Sequence, residues 1–140
     1  MAIWFSTMTI DDLNKRGKNT MSDFLGIQFT EIGDDFITAS MPVNERTKQP
    51  IGILHGGANV ALAETVASTG ANAVVDYTLF YCVGLEINAN HIRSAKEGLI
   101  IATAKPIHLG RTTQVWEIQI KNEQGKQTCI SRMTAAVLSR

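Results

Sequence analysis

One acidic side chain stands alone in the segment GILHGGANVALAETVASTGA, residues 52–71. Glu64 lies near the middle of this small and apolar run, which contains no lysine or arginine. A carboxylate inside an apolar helix is unfavourable unless it is hydrogen-bonded, paired or protonated. Glu64 is therefore either a reactive group in an enclosed site, or a residue that faces solvent or pairs with a distant arginine.

The neighbours of Glu64 on a helix are mostly small. Residues three, four and seven positions away share its face; they include Gly57, Val60, Ala61, Ser68 and Ala71. Small side chains leave space beside the carboxylate and beside Ser68. The pattern favours a cavity over a packed contact at this face.

The start of the same segment could attract an anion. The first N–H groups of a helix have no partner within the helix, and the helix dipole makes that end attractive to negative charge. Gly56 and Gly57 would let a ligand approach these amides, and Gln49 upstream could add a side-chain donor. Alternatively, the glycines form only a turn into the helix and His55 only covers it.

These groups suit acyl transfer, in which amide donors polarise a carbonyl and a carboxylate attacks it or activates water. The sequence has no GxSxG, HExxH or CxxC motif, and His91 and His108 lie in separate strand-like segments. We therefore expect no metal. An acid that works without a metal or an activated serine requires a reactive electrophile, and a thioester is one.

The elements that would position these groups form one α+β domain over residues 1–140. Thr9 and Thr20 predict one or two short helices that end at Gly26, and alternation on either side of residues 33–35 predicts a β-hairpin. A long buried helix is predicted from Gly56 to about Val75. Four β-rich segments follow it and predict antiparallel strands in a meander that curls round the helix.

Composition excludes several classes of function. Thirteen basic and thirteen acidic residues give no net charge, so binding to nucleic acid or an anionic membrane through charge is not expected. The N-terminus does not resemble a secretory signal, and no apolar run is long enough to span a bilayer. Cys82 and Cys129 are widely separated, which predicts buried reduced thiols in a cytoplasmic protein.

Three longer segments carry a family resemblance: RTKQPIGILHGGANVALAET, VGLEINANHIRSAKEG and KPIHLGRTTQVWEI. In order and spacing they resemble the hotdog-fold acyl-CoA thioesterases. The branch is that of 4-hydroxybenzoyl-CoA thioesterase of the Arthrobacter type and 1,4-dihydroxy-2-naphthoyl-CoA hydrolase. The resemblance implies a hotdog fold, in which a curled antiparallel sheet wraps one long central helix, and hydrolysis of an aryl- or acyl-CoA without a cofactor.

The resemblance also assigns roles to individual residues. It implies that Glu64 is the nucleophile or general base, and that the backbone N–H of Gly56 faces the thioester carbonyl. Gln49 and His55 match the assisting polar residues. Ser68 matches a hydroxyl that helps to place the attacking water.

Two further segments match stretches that hold the nucleotide end of CoA. They comprise Asn90, His91, Ile92 and Arg93, and His108, Leu109, Gly110, Arg111, Thr112 and Thr113. Cations and loop amides bind phosphate well, which suits Arg93 and Arg111. We interpret Lys96 as an ordinary surface charge.

The family's assembly is implied as well: two hotdog domains pair edge to edge, share each active site, and usually form a dimer of dimers. One departure from the family is the aromatic connection VVDYTLFYCVG, whose residues 79–81 either line an acyl or adenine pocket or pack in a loop. The acyl group therefore stays open.

Three alternatives remain at this point. The carrier of the acyl group could be an acyl carrier protein, in a proofreading role. His55 with Glu64 is compatible with a hotdog hydratase or dehydratase. A non-catalytic acyl-CoA sensor would require a further binding region, for which one domain of 140 residues leaves little chain.

Overall fold

The computed structural model describes all 140 residues and contains three helices and six strands. Their bounds are α1 Ile10–Arg16, α2 Met21–Leu25, β1 Gln28–Ile32, β2 Ile37–Pro42, α3 Gly56–Ala73, β3 Phe80–His91, β4 Leu99–Leu109, β5 Thr113–Asn122 and β6 Gln127–Ser139. The predicted short helices, hairpin, long helix and four later strands are all present.

The two short helices begin and end where their sequence signals lie. The hydroxyl of Thr9 accepts a hydrogen bond from the N–H of Asp12 and caps α1. Thr20 is the N-cap residue of α2. Gly26 ends α2 with φ of 77°, a left-handed conformation that favours glycine.

The six strands form one antiparallel sheet in the order β1-β2-β4-β5-β6-β3. The predicted meander of the last four strands is wrong at one junction, because β3 pairs with β6 and not with β4. Residues 92–98 connect β3 to β4 and pass the positions of β6 and β5 in the sheet. Leu54 N–H donates to Ala95 O at 2.8 Å and fixes this crossing, which delivers β4 next to β2.

Helix α3 packs one face against the sheet. Leu62, Ala63, Val66 and Ala67 on this face are fully buried. Gly70 lets Trp116 of β5 approach the helix, since a Cβ at position 70 would lie 2.8 Å from the indole ring. This curled sheet around one central helix is the hotdog fold.

The two edges of the sheet differ. Asn14 of α1 binds both backbone groups of Phe29, with N–H to Oδ1 at 2.8 Å and Nδ2 to O at 3.1 Å, so it covers the edge of β1. No element of the chain pairs with the outer edge of β3, which exposes Phe80, Val83 and Leu85. An unpaired edge of twelve residues is a template for another strand.

Both cysteines are buried and free, as predicted. Burial raises the pKa of the Cys82 and Cys129 thiols, which keeps them protonated and unreactive. None of the three helices combines the length and the apolar character needed to span a membrane.

Candidate active site

The first turn of α3 leaves one amide free. His55 is the N-cap residue, and its Nδ1 accepts a hydrogen bond from Gly57 N–H at 2.7 Å. Its carbonyl accepts from Ala58 N–H at 3.0 Å. The N–H of Gly56 has no acceptor within the chain. It is therefore available to a ligand at the positive end of the helix dipole.

The ring of His91 lies over Gly56. A Cβ at position 56 would be 2.9 Å from His91 Nε2, so a larger residue would displace the imidazole. The other ring nitrogen, Nδ1, lies 3.1 Å from Nδ2 of Asn59. The structure thus brings His91 to the helix start, beside the residues predicted to polarise the carbonyl.

Sequence reasoning missed Asn59. It is buried on α3, and it is the one residue between Gly56 and Glu64 with a polar side chain. A single amide side chain in the segment GGANVALAE, residues 56–64, which is otherwise small and apolar up to Glu64, was the signal that could have identified it. The partner of Asn59 could not be read from the sequence, because His91 is on another element.

Gln49 lies in the loop that leads into α3. This loop is closed by a bridge between Lys48 and Leu54 and by the bond from His55 N–H to Thr47 O at 2.8 Å. The side-chain oxygen of Gln49 accepts from Ile51 N–H at 2.5 Å. That bond orients the amide and leaves its NH₂ group as a free donor.

Glu64 is half-buried and has no hydrogen bond or ion pair within the chain. Its carboxylate lies against Gly84 of β3, where a Cβ would be 2.7 Å from Oε2. The register of β3 with β6 shifts at this point, so Leu85 is an extra residue in a β-bulge. The sequence analysis did not single out Gly84. The one signal was a glycine inside a predicted strand, in the segment VGLE at residues 83–86, and such a glycine often marks a bulge or a close approach.

Ser68 lies one turn beyond Glu64, and its hydroxyl lies 3.6 Å from Sδ of Met133. Together with Thr65 and Thr69 it borders a cavity of about 590 Å³ between α1 and α3. Of the aromatic segment 77–81, Tyr77 borders this cavity. Leu79 and Phe80 are exposed.

The free amide and the acid of one chain are too far apart to act on one carbonyl. Gly56 and Glu64 are eight residues apart on α3, which corresponds to about 12 Å along the axis. An amide donor and an attacking group must each lie about 3 Å from the reacting carbonyl. Two groups of one chain at this separation cannot both reach one carbonyl.

The two predicted CoA segments also lie apart. His91 is paired with Cys129, whereas Thr113 is paired with Ala136. These positions are seven residues apart on β6, or about 23 Å. Arg93 and Arg111 are exposed and form no ion pair, and Lys96 is likewise exposed.

Comparison with known proteins identifies the class that this fold and site define. The crystal structure of the Q49A variant of thioesterase PA1618 from Pseudomonas aeruginosa superposes with a TM-score of 0.98. That protein is 47% identical, and the match covers 99% of this chain and 100% of the other. The class is a thioester hydrolase with the hotdog fold.

The family follows from the sequence matches. Residues 51–129 match the Thioesterase superfamily, and the chain belongs to it. The 1,4-dihydroxy-2-naphthoyl-CoA hydrolase of Escherichia coli K12 is 49% identical over 136 residues, 97% of this chain and 99% of that protein. The proofreading thioesterase EntH of Cronobacter sakazakii is 46% identical over 136 residues, with coverage of 97% and 98%.

Proposed function

We propose that this protein hydrolyses acyl-CoA thioesters, with aromatic acyl groups as the preferred class, in a site formed by two copies of the chain. The observation that carries the proposal is the separation of Gly56 and Glu64 on one helix, together with the unpaired edge of β3 beside Glu64. CoA enters as part of the substrate, and the proposed reaction uses no cofactor.

Antiparallel pairing of β3 with β3 of a second copy would complete the site. Glu64 lies against Gly84 and His91 lies over Gly56, so these two positions on β3 mark the two halves of the site. A pairing that sets Gly84 opposite the partner subunit's His91 brings Glu64 to the partner subunit's Gly56. Two such sites form in each dimer, because the two-fold axis repeats the contact.

The same pairing joins the two CoA segments. Gly84 pairs with Ala135 of β6, next to Ala136, which pairs with Thr113. The partner subunit's Arg93 would then approach Arg111 and the turn at 110–112. Two guanidinium groups in one place suit the phosphates of CoA.

In the proposed reaction the thioester oxygen accepts hydrogen bonds from the partner subunit's Gly56 N–H and from the amide of the partner subunit's Gln49, which lies in the loop before that glycine. Glu64 either attacks the carbonyl carbon or takes a proton from a water that attacks it. Direct attack breaks the C–S bond, releases CoA thiolate and leaves a mixed anhydride that water then hydrolyses. Single-turnover hydrolysis in ¹⁸O-labelled water distinguishes the routes, because only direct attack introduces the label into Glu64.

A mixing experiment tests the shared site. Glu64→Ala removes the acid, and Gly56→Pro removes the N–H at the first helical position, where proline is well tolerated. Each variant alone should lose activity by about a hundredfold or more. In a mixed dimer, one site receives Glu64 and Gly56 from unaltered positions and should be active.

Unfolding and refolding the two variants together at equal amounts should restore about a quarter of the wild-type activity, since half of the dimers are mixed and each has one intact site. Refolding each variant alone is the control. Absence of restored activity in demonstrably mixed dimers would contradict the shared site. Native mass spectrometry of the same samples measures whether two dimers associate into a tetramer.

The substrate is tested by thiol release. Similarity to a naphthoyl-CoA hydrolase supports an aromatic acyl-CoA, and a screen over aromatic, short, medium and long acyl-CoAs measures the preference. Formation of an enoyl product without free thiol would instead support a hydratase or dehydratase. Binding without any reaction would support a sensor.

Similarity to a proofreading thioesterase favours a second candidate, hydrolysis of thioesters on an acyl carrier protein. Matched CoA and carrier-protein thioesters of one acyl group should be compared by kcat/KM. A preference for CoA that depends on Arg93 supports the first proposal. Acyl-CoA and reduced thiols both occur in the cytoplasm, which is the compartment we propose.

A further inference from the structure

We infer that Asn59 is a positioning residue that keeps the proton of His91 on Nε2, so that His91 donates a second hydrogen bond beside the free N–H of Gly56. The inference rests on the proposed function, because the shared acceptor is the oxygen of the thioester carbonyl. It assigns roles to one residue without a predicted function and to one predicted only to contact CoA.

The two nitrogens of the His91 ring face different surroundings. Nδ1 lies 3.1 Å from the amide Nδ2 of Asn59. An NH₂ group can only donate, so in this arrangement Nδ1 accepts and the ring proton is on Nε2. Nε2 is the atom that lies over Gly56, at 2.9 Å from the position that a Cβ would occupy. The N–H of His91 is therefore next to the free backbone amide.

Asn59 does not contribute to the fold in the way that its neighbours do. It is 4% exposed, and its Oδ1 is buried without a hydrogen-bond partner. A buried acceptor without a partner destabilises a protein, whereas an apolar residue would avoid that loss. Buried Ala58, Leu62 and Ala63 surround it on α3. The contact with His91 is the one hydrogen bond of the Asn59 side chain.

His55 follows the same pattern at the same helix end. Its Nδ1 accepts a hydrogen bond from Gly57 N–H. Because a backbone N–H can only donate, the ring proton of His55 is also on Nε2. Two imidazoles with a proton on Nε2, together with Gly56 N–H, make this end of α3 rich in donors. Such a group stabilises a carbonyl oxygen that gains negative charge during attack.

Nitrogen NMR reads the tautomer directly. Protein labelled with ¹⁵N-histidine contains three imidazoles, and His91→Gln identifies the signals of His91. The spectra are recorded at about pH 9, because a neutral imidazole carries its single proton on only one of the two nitrogens. We expect the proton of His91 on Nε2 in the wild type and exchange between both nitrogens in Asn59→Ala. A wild-type proton on Nδ1 would overturn the inference.

Kinetics provide the second measurement. Asn59→Ala should lower kcat about tenfold and change KM by less than about twofold, because the lost contact acts on the transition state. Asn59→Asp presents only acceptors to Nδ1 and should draw the proton to that nitrogen. If this variant folds, its kcat at about pH 9 should be lower than that of Asn59→Ala.

Thr38→Val is the matched control. Thr38 is a buried residue on β2, which β4, β5 and β6 separate from β3, and its hydroxyl lies 3.1 Å from that of Thr103. The control should lower Tm and leave kcat unchanged, whereas Asn59→Ala should lower kcat with little loss of Tm. An unchanged kcat in Asn59→Ala would overturn the inference, and so would a loss of Tm as large as that of Thr38→Val.

The failure of the inference is distinct from failure of the proposed function. If Glu64→Ala kept normal turnover, the proposed function would fail while the NMR measurement still reported the proton on His91. If Glu64→Ala were inactive but Asn59→Ala had normal kcat and an unchanged His91 signal, only the role of Asn59 would be lost.

Discussion

The two edges of the sheet are terminated differently. Strand β1 has five residues, and Asn14 of the same chain binds the backbone of Phe29 at its outer side. Strand β3 has twelve residues, its outer side is unpaired, and Leu85 is 62% exposed on it. Each strand contains one register shift, at Thr30 in β1 and at Leu85 in β3.

This difference separates an edge that the chain covers by itself from one that it leaves unpaired. An exposed, long and apolar edge is normally avoided in a monomer because it promotes pairing with other chains. Glu64 lies directly behind the open edge, against Gly84. In the proposed dimer, a second copy would both cover this edge and supply the other half of the site.

The largest effect should follow from a charge placed on the open edge. Leu85→Lys would bring an unpaired charge into the proposed interface and should dissociate the dimer, since an uncompensated buried charge is strongly unfavourable. Activity per chain should fall by about a hundredfold or more at low protein concentration and recover partly at high concentration. Sedimentation velocity measures the dimer, and thiol release measures the activity.

Thr30→Lys is the matched control for that change. It places the same residue at the bulge of the covered edge, where the side chain of Thr30 is exposed. The control should remain dimeric and active. If both variants behaved alike, the two edges would be equivalent and the proposed interface would be wrong.

A comparably large loss is expected when the free amide of Gly56 is removed. Gly56→Pro and Gly56→Ala both place a Cβ near His91, but only proline lacks the N–H. The proline variant should have kcat about a hundredfold or more below that of the alanine variant, which corresponds to the loss of one oxyanion donor. Equal kcat values in the two variants would exclude this amide from the reaction.

A moderate effect is expected at Gly84. Gly84→Ala places a Cβ 2.7 Å from the original position of Glu64 Oε2, so the carboxylate must move. We expect kcat to fall about tenfold with little change in Tm, because a small displacement of a reacting group is enough for such a loss.

Gly70→Ala is the comparison variant inside the core. Its Cβ would lie 2.8 Å from the ring of Trp116, which should destabilise the fold by about 1–3 kcal/mol. At temperatures below Tm, where the variant is folded, kcat should be unchanged. Thermal unfolding and thiol release together separate the two glycines. Normal turnover in Gly84→Ala would argue against the position assigned to Glu64.

The smallest effect should come from Arg93 and Arg111, which meet across the subunits in the proposed dimer. Arg93→Ala and Arg111→Ala should each raise KM for acyl-CoA a few-fold, and less at high salt, because exposed charges are screened. An N-acetylcysteamine thioester of the same acid has no phosphates and should show no such change. An equal rise in KM for both substrates would remove the arginines from nucleotide binding.

Much of the fold was predictable because its signals are local. Thr9 and Gly26 lie at the helix ends that their types favour, and alternating residues correctly predicted β1 and β2. The apolar run from Gly56 correctly predicted the long helix, which ends at Ala73. Each signal depends on neighbours within one turn or one hairpin, so no distant contact was needed.

The order of strands was not predictable in the same way. Strand β3 reads like its neighbours, yet it pairs with β6, and the connection after it passes β6 and β5 to place β4 next to β2. The contacts of Gly84 with Glu64 and of Asn59 with His91 depend on that topology. A sequence shows the residue types at these positions but not which of them meet.

The sequence alone determined the elements and the acid in an apolar helix, since periodicity, capping residues and side-chain chemistry act over a few residues. Tertiary structure decided that Gly56 keeps a free N–H under His91. It also decided that Glu64, about 12 Å from Gly56 along the helix, faces the open edge of β3. The physical reason is that contacts between distant segments depend on how the sheet closes around α3, which no local pattern specifies.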